Sequence, residues 1–184
     1  MLAPSKQHVT LDAFEAFIAQ PEHADRIFQL IAGEIVEVPS NTNSSGVGIR
    51  IAGFLFVYFL DHPIGAMSGE AGGWKIGDER YVPDVAVVLK PKTLSLEWFN
   101  SQTPDLVVEV DYPSSRESRR HLMVKVANYL SAGVVVWVVY PEDREVYVFV
   151  PGQPVKILTE NDTLDGGAVL PGFTLAVSKI FDWE

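Results

Sequence analysis

Three uninterrupted apolar runs, at 84–89, 105–110 and 134–140, constrain this chain more than any other feature of its sequence. A strand with one wet face alternates apolar and polar residues, so a strand that stays apolar must be covered on both faces. Helices have to supply that cover. Residues 116–132 predict one, closed by Gly133, a residue suited to the left-handed turn after a helix. A long apolar helix is predicted at 47–60, after a polar loop at 40–46, with Phe54, Val57 and Tyr58 at helical spacing. Thr10 reads as the N-cap of a short helix ending near Ile18. Further strands are predicted at 26–32, 35–38, 64–68, 73–76, 81–82, 145–150 and 154–159. Gly33-Glu34 reads as a tight turn or bulge, Pro39 as a strand terminator, and Gly77-Asp78-Glu79-Arg80 as a hairpin turn. Leu170-Pro171-Gly172-Phe173 makes a turn before a terminal helix near 177–181. This order predicts an α/β (α+β) fold, a mixed central sheet flanked by helices, within a single domain over 1–184.

Composition narrows the chemistry. The 184 residues include ten Phe, six Tyr and four Trp, enough to fill one core. There is no Cys, which excludes disulfides, thiolate metal sites and Cys nucleophiles. The first ten residues carry one Lys and no apolar run of signal-peptide length. The most apolar stretch, 51–60, falls short of the ~20 residues that span a bilayer and reads as a buried helix. These features lead us to expect a cytoplasmic protein with no membrane partner. The formal charge of −10 counts against non-specific nucleic-acid binding, which rests on cations neutralising phosphates. A local basic cluster or bound metal ions would offset it. No Walker sequence, dinucleotide-binding glycine pattern or nucleophile elbow is present. The four His, at 8, 23, 62 and 121, read as lacking metal-ligand spacing.

Four stretches remain as carriers of chemistry. Asp84 opens a buried strand directly after Pro83, which brings a carboxylate to the strand end. Glu109 ends the run Leu106-Val107-Val108, where a charge is expensive to bury unless paired or bound to metal. Asp111 projects from the same face of that strand. Antiparallel pairing of 84–89 with 105–110 would bring Asp84 close to Glu109, and converging carboxylates suit Mg²⁺ or Mn²⁺. The plainer alternative is two acids at a sheet edge, paired with Arg116 or Arg119. Lys125 shares a helical face with Leu122 and Tyr129; aimed inward it would meet the carboxylates, and aimed outward it would be an ordinary surface lysine. Glu34 sits at an irregular point of its strand, where side chains are often re-aimed.

Taken in order, Ile31-Ala32-Gly33-Glu34-Ile35-Val36, Gly69-Glu70-Ala71-Gly72-Gly73, Pro83-Asp84-Val85-Ala86, Pro104-Asp105-Leu106-Val107-Val108-Glu109-Val110, Lys125-Val126-Ala127-Asn128-Tyr129-Leu130-Ser131-Ala132-Gly133, Val136-Trp137-Val138-Val139, Leu164-Asp165-Gly166-Gly167 and Leu170-Pro171-Gly172-Phe173 form a succession. It resembles the Uma2 family of endonuclease-like proteins, formerly the domain of unknown function DUF820, from about Leu11 to Phe181. The resemblance implies a restriction endonuclease-like, PD-(D/E)XK core that cuts phosphodiesters with divalent metal. By it, Asp84 is the Asp of the signature and Glu109 its second acid. Glu34 is the additional acid from the first part of the core. Lys125 is the catalytic lysine moved from the strand to the following helix. The sequence departs from the general signature in placing Asp111 where the strand lysine would stand. It departs again in reading Asp-Tyr-Pro-Ser-Ser after Glu109-Val110.

The first expectation is a DNA endonuclease in which Asp84 and Glu109 hold Mg²⁺ (or Mn²⁺), with Glu34 and Lys125 completing the catalytic set. The second is a nuclease-fold protein that binds nucleic acid or another partner without cutting. The apolar run Val146-Tyr147-Val148-Phe149-Val150, with the resemblance, motivates a homodimer, since cutting both strands of a duplex calls for two sites. On this reading Lys125→Ala is expected to leave the fold intact.

Overall fold

A computed structural model describes residues 8–38, 42–112 and 115–182. In chain order the elements are α1 (Leu11–Ile18), β1 (Phe28–Ile31), β2 (Glu34–Glu37), α2 (Thr42–Asp61), β3 (Gly65–Gly69), β4 (Gly73–Ile76), β5 (Glu79–Tyr81), β6 (Val85–Leu89) and β7 (Phe99–Asn100). After them come β8 (Leu106–Val110), α3 (Arg116–Ser131), β9 (Val135–Tyr140), β10 (Glu145–Phe149), β11 (Lys156–Leu158), β12 (Thr163–Asp165), β13 (Thr174–Ala176) and α4 (Ser178–Phe181).

The larger sheet has six strands in the order β11-β10-β9-β8-β6-β3. It is mixed: β8 and β9 run parallel and the other pairs antiparallel. A parallel pair needs a crossover, and α3 supplies it between β8 and β9. The apolar runs divide by alternation. Val85, Val87, Leu106, Val108, Trp137 and Val139 face one core with α2 and α4, and Ala86, Val88, Val107, Val136 and Val138 face the other with α3. Both faces are therefore buried. A second sheet, β2-β1-β5-β4-β7, contributes Trp74, Ile76 and Tyr81 to the α3-side core.

Local structure departs from the sequence reading at several points. Ala32 and Gly33 both have positive φ and close the β1–β2 hairpin with Ile31 opposite Glu34, so the irregularity is a tight turn and not a bulge. The Glu79 carboxylate ties that turn by accepting from the Ala32 N–H. The second hairpin turns on Gly77-Asp78, and Glu79 and Arg80 belong to β5. Strands β7, β12 and β13 were too short to carry a readable alternation. The expected strand end at Pro39 and the loop residues Ser40 and Asn41 lie outside the described residues.

Helix α2 begins at Thr42, five positions before the expected start, because Ser44, Ser45 and Gly46 are helical and not part of a loop. It is long and apolar enough to cross a membrane by length and composition. Its inner face, Val47, Ile51, Ala52 and Leu55, packs on the sheet. Its outer face leaves Ile49, Phe56, Val57 and Leu60 exposed. The buried helix of the sequence reading is thus buried on one side only. The run 146–150, expected to offer apolar surface, is largely used within the chain: β10 lies between β9 and β11, and Val146 is fully buried.

One-sided burial has a measurable consequence. Ile51→Ala is expected to lower stability by about 2–5 kcal/mol in urea denaturation, and Val57→Ala to stay within about 0.5 kcal/mol.

Candidate active site

The β6–β8 register builds the floor of the site. Val85 pairs with Val108 in antiparallel fashion, so the same register carried one residue on sets Asp84 opposite Glu109. By alternation both carboxylates lie on the α3 side of the sheet. Asp84 Oδ2 accepts a hydrogen bond from the Val110 N–H at 2.7 Å. Helix α2 approaches it closely; a Cβ added to Gly48 would stand 3.4 Å from the Asp84 Cβ. Burial, then the nearby Glu109 charge, push the Asp84 carboxyl up to about 7.

Glu109 is 6% exposed and still charged on one side by a partner: Lys125 Nζ donates to its Oε2 at 2.6 Å. The Tyr129 hydroxyl donates to Oε1 at 3.0 Å. Burial raises the Glu109 pKa, and Lys125 and Tyr129 oppose that rise. The ammonium also lies 5.7 Å from the centre of the Tyr81 ring, whose hydroxyl accepts from Asn128 Nδ2 at 2.6 Å. Lys125 itself is 5% exposed, which rules out the surface-lysine alternative. It also overturns the expectation that Lys125→Ala would leave the fold undisturbed, because truncation strands Glu109 as an unpaired buried charge.

Glu34 opens β2 on the facing wall. Arg120 Nη2 donates to its Oε1 at 2.6 Å, and His121 Nε2 lies 3.3 Å from Oε2. Glu34, Asp84, Glu109 and Lys125 all line one cleft of about 550 Å³. Asp111 lines it too; its Oδ2 is buried with no hydrogen-bond partner, and burial raises its pKa against the pull of Arg119. The alternative of acids neutralised by direct pairing with Arg116 or Arg119 therefore leaves this oxygen unaccounted for.

Sequence reasoning missed one group. Ligand atoms of Glu34, Glu117 and His121 lie within 4.8 Å of one another. The signal was available, since positions 117 and 121 are four apart on α3 and share a face. Arg120 already inserts its guanidinium there, 3.5 Å from His121 Nε2. Asp84 and Glu109, which also line the cleft, are oxygen donors of the kind that Mg²⁺ or Mn²⁺ takes.

The family model Uma2, described as "Putative restriction endonuclease", matches residues 14–178. The chain belongs to the Uma2 family. A solved structure described as a "putative nuclease belonging to DUF820", from Anabaena variabilis ATCC 29413, matches with a TM-score of 0.78 at 18% sequence identity. The match covers 94% of this chain and 97% of that one, and it shows that the two share one mixed α+β fold. No curated protein matches the chain. The Uma2 membership bears on the cleft as a whole, since the matched region contains every residue named above.

Two outcomes follow from the electrostatics of this Uma2 cleft. The folded state holds the Asp84 proton to about pH 7, whereas the unfolded chain releases it near the ordinary aspartate value of 3.8. A raised carboxyl pKa gives stability that is complete at low pH and lost as pH rises through the folded value. Asp84→Asn is therefore expected to raise the melting temperature of the metal-free protein at pH 8, with the gain shrinking as pH falls toward 4. Lys125→Ala is expected to cost about 3–5 kcal/mol, measured by chemical denaturation, and Glu109→Gln in the same chain to recover much of that loss.

Proposed function

We propose that this Uma2 protein is a metal-dependent endonuclease that hydrolyses DNA phosphodiester bonds, the whole chain acting as one domain. The observation that carries the reading is the facing pair Asp84 and Glu109 on the floor of an open cleft, with the Lys125 ammonium 2.6 Å from Glu109. In this reading Asp84 and Glu109 hold Mg²⁺ or Mn²⁺. When bound, the ion lowers the pKa of a water and polarises the phosphoryl group. Glu109 keeps a lone pair free on each oxygen beside its bonds to Lys125 and Tyr129. Lys125 has three donors, of which Glu109 uses one, and the others are available to a water or a phosphate oxygen. Its charge would oppose the negative charge that builds up on the phosphate in the transition state. Glu34 positions the flank of α3 through Arg120 and His121, and Arg120 is exposed enough to meet a phosphate.

A cytoplasmic setting suits a cysteine-free chain of this kind. A homodimer belongs to the same reading, because two cleavage centres would serve the two strands of a duplex. The exposed face of α2, with Phe56 and Val57, offers the apolar surface for that contact. Light scattering should then give twice the chain mass, and Phe56→Glu should return it to the single-chain value.

The decisive test is incubation with single- and double-stranded DNA and RNA in Mg²⁺, Mn²⁺ or EDTA. We expect metal-dependent cleavage of DNA and none in EDTA. Asp84→Asn and Glu109→Gln should abolish it while the protein stays folded by circular dichroism. Replacing Lys125 by Met in a folded chain should lower the rate on the order of a hundredfold or more. A parent protein that binds nucleic acid yet cuts nothing with any metal would establish the non-cutting alternative.

A further inference from the structure

Glu109 is held at both of its oxygens, by donors of two different kinds. The Lys125 ammonium, a cation, donates to Oε2 at 2.6 Å, and the neutral Tyr129 hydroxyl donates to Oε1 at 3.0 Å. The two donors stand four positions apart on one face of α3. Both are buried, Tyr129 completely.

The frame behind Tyr129 leaves its ring little freedom. The ring meets that of Tyr81 edge to face, with centres 5.2 Å apart and planes at 68°. Tyr81 is itself fully buried in β5, and its hydroxyl accepts from Asn128 Nδ2 at 2.6 Å. Asn128 directly precedes Tyr129, so α3 and the second sheet clasp the same pair of rings. The ring is fixed from both sides, and it fixes the hydroxyl at Oε1.

The two oxygens of Glu109 are therefore not equivalent. A divalent ion drawn to Oε2 would be repelled by the ammonium bonded to that same atom. Oε1 has an uncharged partner that takes one lone pair and leaves the other. A backbone carbonyl would have satisfied a buried tyrosine hydroxyl equally well. Spending it on this carboxylate fixes the plane of the carboxyl group. We propose that Tyr129 is a positioning residue of the metal site: it holds Oε1 for the ion and leaves Oε2 to Lys125. Partners that orient a metal-binding carboxylate in this way contribute to affinity, and losing one typically costs about 10–100-fold. The inference rests on the metal-dependent reading and adds to it which oxygen meets the ion and what holds that oxygen in place.

The test is calorimetric titration of the whole chain with Mn²⁺, in the parent, Tyr129→Phe and Tyr58→Phe. Tyr129→Phe removes the hydroxyl and keeps the ring. Tyr58→Phe is the control, since its hydroxyl donates to the Pro171 carbonyl on the α2 side of the sheet. Both variants should keep the parent's circular dichroism spectrum. Tyr129→Phe should bind Mn²⁺ about 10–100-fold more weakly, and Tyr58→Phe as the parent does. In the cleavage assay Tyr129→Phe should need more Mn²⁺ for half-maximal rate by the same factor, and approach the parent rate at saturating ion. A purely structural role would lower the melting temperature and leave the affinity of the folded protein alone. Parent-like Mn²⁺ affinity in folded Tyr129→Phe, or a lowered rate at saturating ion with unchanged half-saturation, overturns the inference and leaves the nuclease reading to its cleavage assay. A parent that takes up no Mn²⁺ removes the metal-dependent reading and this inference together.

Discussion

The buried pair of Glu109 and Lys125 orients everything around it. Glu109 follows three fully buried residues, Leu106, Val107 and Val108, and its carboxylate cannot be left alone there. Lys125 and Tyr129 answer it from one face of α3. That requirement sets the rotation of the helix. With Leu122, Lys125 and Tyr129 turned to the sheet, His121 and Glu117 face the cleft, and Arg120 reaches its Glu34 wall. The crossover that joins β8 to β9 is thus also the element that arms the site.

The charge distribution acquires meaning from the same helix. The chain is strongly acidic, yet Arg116, Arg119, Arg120 and Lys125 fall on α3. A phosphate backbone needs local cations far more than it needs a favourable net charge. Here Lys125 lies on the floor beside Glu109, and Arg120 stands at the Glu34 wall.

Much of this was readable from the residues. The central strands announced themselves by their apolar runs and α3 by its spacing and Gly133; Glu109 stood out by the expense of burying a charge in its run, Asp84 by its place at a strand end, and Lys125 by the helical face it shares with Leu122 and Tyr129. Strand β7 was not readable, since Phe99 and Asn100 are too few to show a period. The start of α2 was misread because Ser, Asn and Gly favour loops locally, and the packing of Val47, Ile51 and Leu55 overrides that preference. The burial of Lys125 was beyond sequence as well: spacing shows which face a residue shares, and only the register of β6 on β8 shows how deep the partner carboxylate lies. The partnership of Glu34 with Arg120 and His121 joins residues far apart in the chain and has no local signature at all.

The acids of the floor also discriminate between ways of handling nucleic acid. Asp84, Glu109 and Asp111 each have a raised pKa, with burial as the largest cause. A fold selected for stability alone would replace such groups by apolar side chains of similar volume. A fold selected for passive binding of phosphates would place cations there, because a buried carboxylate repels the ligand. Buried acids that are penalised by the fold and hostile to the ligand become favourable together only with a cation between them and the phosphate. In the proposed reading an ion would relieve the cost of burying these acids, and so would couple its own binding to that of the nucleic acid at one position. That coupling is what the proposed metal-dependent phosphodiesterase would require.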